Sequence, residues 1–293
     1  MKLGLVLPVF SDDPRRALDL AARAQGLGYD GVFSADHLFP PMGPSYPSVE
    51  AFTILSAVAA RQPGLTVGTL VARVGLRAPG MLAKEAAALD QISSGRAIIT
   101  LGTGDEVSRG EHEMFGFPHL DVADRRLLLE ETAGALRALF EGRTWPEGAF
   151  TPAMSGPLLP PPVAPGGPPI WVGGVSDEMV RIAARVGDGW NGWGIDAPTF
   201  GAKAELLRHS AGGREVVPTW GGITLVARDT AELDRLLDAR SEKGLSVGPA
   251  WSGTTQALRA FAADLEAAGC GWAIFLPAGP ADRIDLIAET LRP

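Results

Sequence analysis

Short apolar runs alternate with amphipathic stretches along this chain of 293 residues. Such runs predict buried strands, while apolar residues that recur every three or four positions predict helices. The predicted strands are residues 3–7, 31–34, 66–71, 97–101, 170–172, 189–191, 217–226 and 272–276. The predicted helices are residues 14–27, 48–61, 79–92, 121–140, 176–186, 230–243, 254–268 and 282–291. This alternation predicts parallel strands joined by right-handed helical crossovers.

The number of strand and helix units favours an α/β fold of the (β/α)8 TIM-barrel type over a doubly wound sheet. We therefore expect a single domain over residues 1–293. Residues 143–169, before the fifth strand, interrupt the alternation with many prolines, which favour stiff extended backbone. They are predicted to form an extended excursion over the barrel rim or a mobile flap.

Composition argues against several classes of function. The chain has 26 Lys and Arg against 34 Asp and Glu, a net charge of -8, and no basic cluster, so nucleic acid is not an expected partner. No apolar run approaches the roughly 20 residues of a membrane-spanning helix, and the apolar start is too short for a signal peptide. Cys270 is the only cysteine, which suits a reducing compartment. We expect a cytoplasmic protein without a membrane partner.

The fourth predicted strand ends in the sequence Gly102-Thr103-Gly104-Asp105. Glycine lets a ligand approach the backbone closely, and barrel enzymes place reacting groups at the carboxyl ends of strands. A dinucleotide-binding GxGxxG motif is absent, because Val107 occupies the position of the third glycine. The acid at position 105 can act as a general acid only where its surroundings raise its pKa, and otherwise accepts hydrogen bonds.

The second predicted strand leads into Asp36 and His37. Imidazole titrates near neutral pH, and a neighbouring carboxylate influences its charge, so His37 is the best candidate for proton transfer; a structural histidine is the alternative. His112 lies between Glu111 and Glu113 and raises the question of a metal site. Adjacent helical positions point in different directions and no HExxH motif is present, so no metal is expected.

The fifth predicted strand is followed by Gly173, Gly174, Val175 and Ser176. Free backbone N–H groups at the start of the next helix suit a phosphate. The alternative is a tight turn in which Ser176 caps the helix, and the acids at positions 177 and 178 compete with a bound anion.

Five segments in order resemble the luciferase-like monooxygenase superfamily over nearly the full chain. They are LGYDGVFSADH, LTVGTLVARVGLRAPGMLAKEAAALDQISSGRAIITLGTGD, EHEMFGFP, PPIWVGGVSDEMVRIAARVGDGWN and GTTQALRAFAADLEAAGC. The pair Asp36-His37 and the GTGD sequence are most similar to the branch that uses the deazaflavin coenzyme F420. The resemblance implies a TIM barrel with F420, or alternatively FMN, across its mouth.

The resemblance also implies roles for single residues. His37 matches a histidine near the reactive carbon of the cofactor, and Asp105 matches an acidic position beside the ring. Leu70 and Val71 match a non-proline cis peptide that bulges against the ring. Further implied cofactor contacts are Asp36, Gly102, Thr103, Gly104, Ser108, Gly173, Gly174, Val175 and Ser176. Of these, Gly173 and Gly174 match the pair that binds the phosphate of the cofactor.

The expected function is an F420-dependent oxidoreductase that exchanges a hydride with a small organic substrate, with His37 and Asp105 handling the proton. The alternatives are an FMN-dependent monooxygenase that uses reduced flavin and O2, a non-catalytic flavin-binding barrel, and a cofactor-free barrel acting on a phosphorylated metabolite. Sugar-phosphate-oxidising relatives carry a tryptophan shortly after the histidine, where residues 39–42 read FPPM. Related barrels often pair through helices, so a homodimer is expected.

Overall fold

Parallel strands that close into a ring form the centre of the fold. The structure is a computed structural model that describes residues 1–41, 43–242 and 251–292. The ring within these residues consists of β1 (Lys2–Val6), β2 (Gly31–Ser34), β3 (Thr66–Thr69) with β4 (Ala72–Arg73), β5 (Ala97–Gly102), β6 (Ile170–Gly173), β7 (Gly189–Trp193), β8 (Val217–Ala227) and β10 (Trp272–Pro277). Parallel pairing of β10 with both β8 and β1 closes it. A further strand, β9 (Trp251–Thr254), pairs with the carboxyl end of β8. The predicted (β/α)8 TIM barrel is confirmed.

Helices surround the ring. They are α1 (Arg15–Gly26), α2 (Ala51–Arg61), α3 (Pro79–Ser93), α4 (Arg109–Phe115), α5 (Val122–Phe140), α6 (Asp177–Val186), α7 (Ala197–Ser210), α8 (Thr230–Glu242), α9 (Thr255–Ala267) and α10 (Arg283–Leu291). In α1, Ala17, Ala21 and Ala24 are buried, because this spacing places small side chains on one face against the strands. None of the described helices has the length and apolar character needed to cross a membrane.

The sequence prediction missed α4, α7 and β9. Pro198 and Gly201 weaken the helical pattern of α7, but Pro198 lies in the first turn, where no intrahelical donor is lost. The side chain of Asp196 caps this helix by accepting the N–H of Thr199 at 2.8 Å. Lys243, the predicted end of the helix observed as α8, lies outside the described residues.

The third predicted strand is shorter than expected. Regular pairing ends at Gly68 on the β5 side and at Thr69 on the β2 side, and the peptide bond between Leu70 and Val71 is cis, as the resemblance implies. Pairing resumes at Ala72, which lies opposite Leu101 of β5. The strand therefore carries a bulge at the carboxyl end of the barrel.

Aromatic side chains fill the barrel interior. Phe33 stacks on Trp171 with ring centroids 6.0 Å apart and meets Trp272 edge-on at 5.5 Å. Leu70 belongs to the same buried cluster, and Val71 packs against it. The interior is thus a packed core and not a channel, so a ligand has to bind above it, at the loops of the mouth.

The proline-rich residues 143–169 pack along the outer helices. Glu131 of α5 accepts hydrogen bonds from the amides of Ala149 and Phe150 at 2.6 and 2.9 Å. Farther along, the amide of Val163 donates to Asp90 of α3 at 2.8 Å. These contacts lie on the outside of the barrel, whereas the sequence analysis placed the segment over the rim.

Candidate active site

Neighbouring strand ends bring the predicted site residues to one side of the barrel mouth. Arg73 of β4 lies opposite Gly102 of β5, and Leu101 lies opposite Val172 of β6. The loop after β2 adds His37, which contacts the short helix α4 that follows β5. The segments after β2, β5 and β6 therefore border a common region, as expected for a barrel whose reacting groups follow the strands.

His37 is held by a buried carboxylate. Its Nδ1 lies 2.7 Å from Oε1 of Glu111, whose Oε2 accepts the backbone N–H of Leu38 at 2.6 Å. The side chain of Glu111 is 2% exposed, whereas that of His37 is 28% exposed. Among the described residues, Nε2 of His37 has no hydrogen-bond partner. One ring nitrogen is therefore fixed to the protein, and the other is free.

Arg73 completes this arrangement. Its two terminal nitrogens donate to the two oxygens of Glu111 at 3.2 and 2.7 Å, and its own side chain is 3% exposed. Burial opposes ionisation of Glu111, but the hydrogen bonds from His37, Arg73 and Leu38 outweigh it and lower its pKa to about 2. An ionised carboxylate can only accept hydrogen bonds, so Nδ1 of His37 carries the proton and Nε2 of the neutral ring offers a lone pair.

The lowered pKa of Glu111 makes part of the stability depend on pH. Its folded pKa of about 2 lies below the ordinary value of 4.5, so its contribution is complete above pH 4.5 and disappears as the pH falls toward 2. The shift corresponds to about 3 kcal/mol in the free energy of unfolding. Urea unfolding at pH 6 and pH 3 should show a smaller loss of stability in Glu111→Gln than in the wild type. Equal losses in both proteins would contradict this assignment.

Asp36 lies behind His37 in a second ion-pair cluster. Arg77 contacts its two oxygens at 2.6 and 3.0 Å, and the backbone N–H of Arg73 donates to it at 3.2 Å. Only 5% of Asp36 is exposed. The predicted cofactor contact is thus a buried acid whose recorded partners are protein groups.

Val71 forms a step at the mouth, between the ends of β5 and β6. A Cβ atom added to Gly102 would lie 2.2 Å from Cγ2 of Val71, and one added to Gly173 would lie 2.6 Å from Cγ1 of Val71. Both distances are far below a carbon contact of about 3.5 Å. A larger residue at either position would therefore have to displace Val71, and the predicted cofactor contacts of Gly102 and Gly173 stay predictions.

Asp105 lies in the turn that leads into α4. It is exposed, and its Oδ1 accepts hydrogen bonds from the backbone N–H and the hydroxyl of Ser108 at 3.1 and 2.9 Å. Thr103 bonds the carbonyl of Gly104, whose φ of 68° favours glycine. The contacts recorded for Asp105 thus order its own loop, and the partner of His37 is Glu111.

The segment after β6 contains the predicted helix cap, and its predicted phosphate site stays a prediction. The hydroxyl of Ser176 caps α6 by accepting the N–H of Met179 at 3.3 Å. The N–H of Gly174 donates to the carbonyl of Asn191 at 3.1 Å, so it is not free for an anion. Within the described residues, the amides of Val175 and Ser176 have no hydrogen-bond partner. Two donors at a helix N-terminus therefore remain available.

Sequence reasoning placed Arg73 among the polar residues at the strand ends but gave it no role, and it did not indicate Glu111 or Arg77 as parts of the site. It considered Glu111 only as a neighbour of His112, whose Nδ1 lies 2.8 Å from the carbonyl of Pro118. The sequence feature that could have indicated it is a pattern of two glutamates on either side of a histidine, Glu111-His112-Glu113, soon after the GTGD sequence. That pattern does not specify its partner, because His37 is 74 positions away along the chain.

The chain is similar in sequence to known proteins. Residues 1–273 match the family model of the luciferase-like monooxygenases. The F420-dependent glucose-6-phosphate dehydrogenase of Beutenbergia cavernae is 31% identical over 192 residues, which are 65% of this chain and 56% of that protein. The corresponding enzyme of Intrasporangium calvum is 28% identical over 82% of this chain and 69% of its own length.

A solved structure with a similar fold is an F420-dependent secondary alcohol dehydrogenase in complex with an F420-acetone adduct. It superposes with a TM-score of 0.85 over 99% of this chain and 98% of its own, at 16% identity. This likeness shows the shared fold, and the family match extends over most of the sequence. The chain therefore belongs to the luciferase-like monooxygenase family.

Proposed function

We propose that the protein is an F420-dependent oxidoreductase that exchanges a hydride with a small organic substrate. The observation that carries this proposal is the position of His37, whose free Nε2 lies at the same mouth as the Val71 bulge. The relatives named above as F420-dependent support the cofactor. When bound, F420 supplies the ring carbon that gives or accepts the hydride, so the protein has to orient the reactants and move a proton.

The residues at the mouth fit such a cofactor. Leu70 and Val71 provide an apolar step for a flat ring. Beside this step lie Gly102 and Gly173, where an added Cβ atom would collide with Val71. The free amides of Val175 and Ser176, after Gly173 and Gly174, suit its phosphate. We assign the remaining cofactor contacts to Asp36, Gly102, Thr103, Gly104 and Ser108.

His37 is the group proposed to handle the proton. The ionised Glu111 accepts from Nδ1, so Nε2 can take a proton from a substrate hydroxyl and return it in the reverse direction. Glu111 also stabilises the imidazolium that forms, because a negative charge lies beside it. Asp105 is proposed as a second acidic group at the rim, which exchanges protons with water.

Titration of the purified protein with F420 and with FMN tests the cofactor. Equilibrium dialysis should show tight binding of F420 with a shift of its absorption spectrum, and weaker binding of FMN. Tight binding of FMN alone would favour a flavin-dependent monooxygenase. Tight binding of F420 without turnover of any alcohol or ketone would favour a non-catalytic flavin-binding barrel, and binding of neither would end the proposal.

The proposal extends to assembly and location. We infer a homodimer in the cytoplasm, because related barrels pair through helices and the single cysteine, Cys270, is a buried free thiol. Light scattering after gel filtration should give twice the mass of one chain. A monomeric mass at micromolar concentration would contradict the homodimer.

Gly102→Ala should weaken cofactor binding by about ten-fold or more, because the added methyl group displaces Val71 from the position on which the ring is proposed to lie. Dialysis against F420 measures the change. Gly26→Ala is the matched control, since a Cβ atom there meets nothing within 4 Å. Normal binding by Gly102→Ala would show that the Val71 step does not hold the ring.

A further inference from the structure

The guanidinium of Arg73, the first arginine near His37, is paired with a carboxylate, and its unpaired Nε–H is buried. Both terminal nitrogens of Arg73 donate to Glu111, and both side chains are almost fully buried. Recognition of a phosphate or carboxylate group usually requires guanidinium or ammonium donors that are free to turn toward it. Moving Arg73 to an anionic substrate would leave Glu111 buried without its cationic partner, held only by His37 and the amide of Leu38, which is costly.

The second arginine is even more strongly neutralised. Arg77 contacts the carboxylates of Asp36, Glu50 and Glu85 at 2.6, 2.6 and 2.8 Å. With Glu111 and Arg73 included, carboxylates exceed guanidinium groups in this part of the mouth by two formal charges. The local field therefore opposes an anion close to His37.

Exposed apolar side chains follow several strand ends. Phe10 lies after β1 and is 37% exposed, Val175 lies after β6 and is 44% exposed, and Trp193 ends β7 and is 37% exposed. The ring of Phe10 meets that of His37 edge-on, with centroids 5.8 Å apart. Large apolar groups around a few polar atoms are typical of sites for uncharged organic ligands.

We propose that the substrate is an uncharged alcohol or ketone with an apolar body, and not a sugar phosphate. This inference rests on the proposed function and departs from the sugar phosphate in the names of the relatives. Oxidation removes a hydride from the carbinol carbon and a proton from the hydroxyl. The hydride passes to F420, and the proton passes to Nε2 of His37. The ketone remains, and reduction reverses each transfer. The free amides of Val175 and Ser176 are left to the cofactor.

Turnover with matched probes tests the substrate class. The loss of F420 absorbance gives kcat/KM for cyclohexanol, glucose and glucose 6-phosphate. We expect cyclohexanol to exceed both sugars by about ten-fold or more, and the phosphate group to give no advantage over glucose. A kcat/KM for glucose 6-phosphate about ten-fold above that of glucose would overturn the proposal, as would equal values for cyclohexanol and glucose.

A binding measurement that needs neither cofactor nor turnover separates the two proposals. The chain has four histidines, so the imidazole NMR signal of His37 can be assigned from its absence in His37→Gln. Cyclohexanol should move this signal saturably, and inorganic phosphate at the same concentration should not. Saturable movement by phosphate alone would overturn the inference, whereas failure to bind F420 in dialysis would overturn only the proposed function.

A variant can reverse the charge preference. Phe10→Lys places a cation beside His37, and it should raise kcat/KM for glucose 6-phosphate relative to glucose by about ten-fold. Phe10→Leu, which removes the ring without adding charge, should keep the preference for the uncharged probe. An unchanged ratio in Phe10→Lys would show that charge near His37 does not select the substrate.

Discussion

His37→Gln should lower kcat for alcohol oxidation by about 10²- to 10⁴-fold, while the affinity for F420 changes little. Glutamine can still donate a hydrogen bond to Glu111, but its amide does not accept a proton near neutral pH. The substrate hydroxyl then has to lose its proton to water. Stopped-flow measurement of F420 reduction gives kcat, and dialysis gives the cofactor affinity. The loss should become smaller as the pH rises and hydroxide replaces the missing base.

His209→Gln is the matched control for this experiment. His209 lies on the exposed surface of α7, outside the mouth, so the substitution should leave kcat unchanged. If His37→Gln binds F420 normally and keeps full turnover, the assignment of His37 to proton transfer is wrong.

Arg73→Met should reduce the free energy of unfolding by about 3 to 5 kcal/mol, because Glu111 is left as an uncompensated buried charge. Urea unfolding at pH 7 measures the change. The double variant Arg73→Met with Glu111→Leu should recover part of the loss, since it removes both charges together. Equal stability of the single variant and the wild type would contradict the role of this pair.

Arg15→Met provides a control for the loss of an arginine as such. Arg15 pairs with Asp13 on the surface, where its side chain is 80% exposed. An exposed pair gains little because water and salt screen it, so we expect no measurable change. Comparable destabilisation by both substitutions would mean that burial of the Arg73 pair is not the cause.

The repeating fold could be predicted from the sequence because each of its units is local. Most of the barrel strands have a short apolar run, and the long helix α5 has a regular apolar face, so the pattern alone specifies them. The short helix α4 spans only residues Arg109–Phe115 and contains too few turns to show a period. The sequence therefore predicts the architecture better than it predicts the loops that build the site.

The site likewise has one part that the sequence predicts and one part that it does not. His37 and the GTGD sequence lie at strand ends, where the fold itself indicates reacting groups. The partner of His37 depends on a contact between the loop after β2 and α4, across 74 positions. No periodic pattern encodes such a contact, because it follows from how two irregular segments meet once the barrel has closed.

The aromatic packing inside the barrel gives the protein an optical property. Trp171 and Trp272 lie in the buried cluster that also contains Leu70 and contacts Val71, directly below the place proposed for the cofactor ring. Indoles emit in the near ultraviolet, where flavins and deazaflavins absorb, so excitation energy would pass from these tryptophans to a bound ring. The tryptophan emission of the unlabelled protein should therefore fall as the cofactor binds, so this emission would measure how much of the protein has cofactor at its mouth.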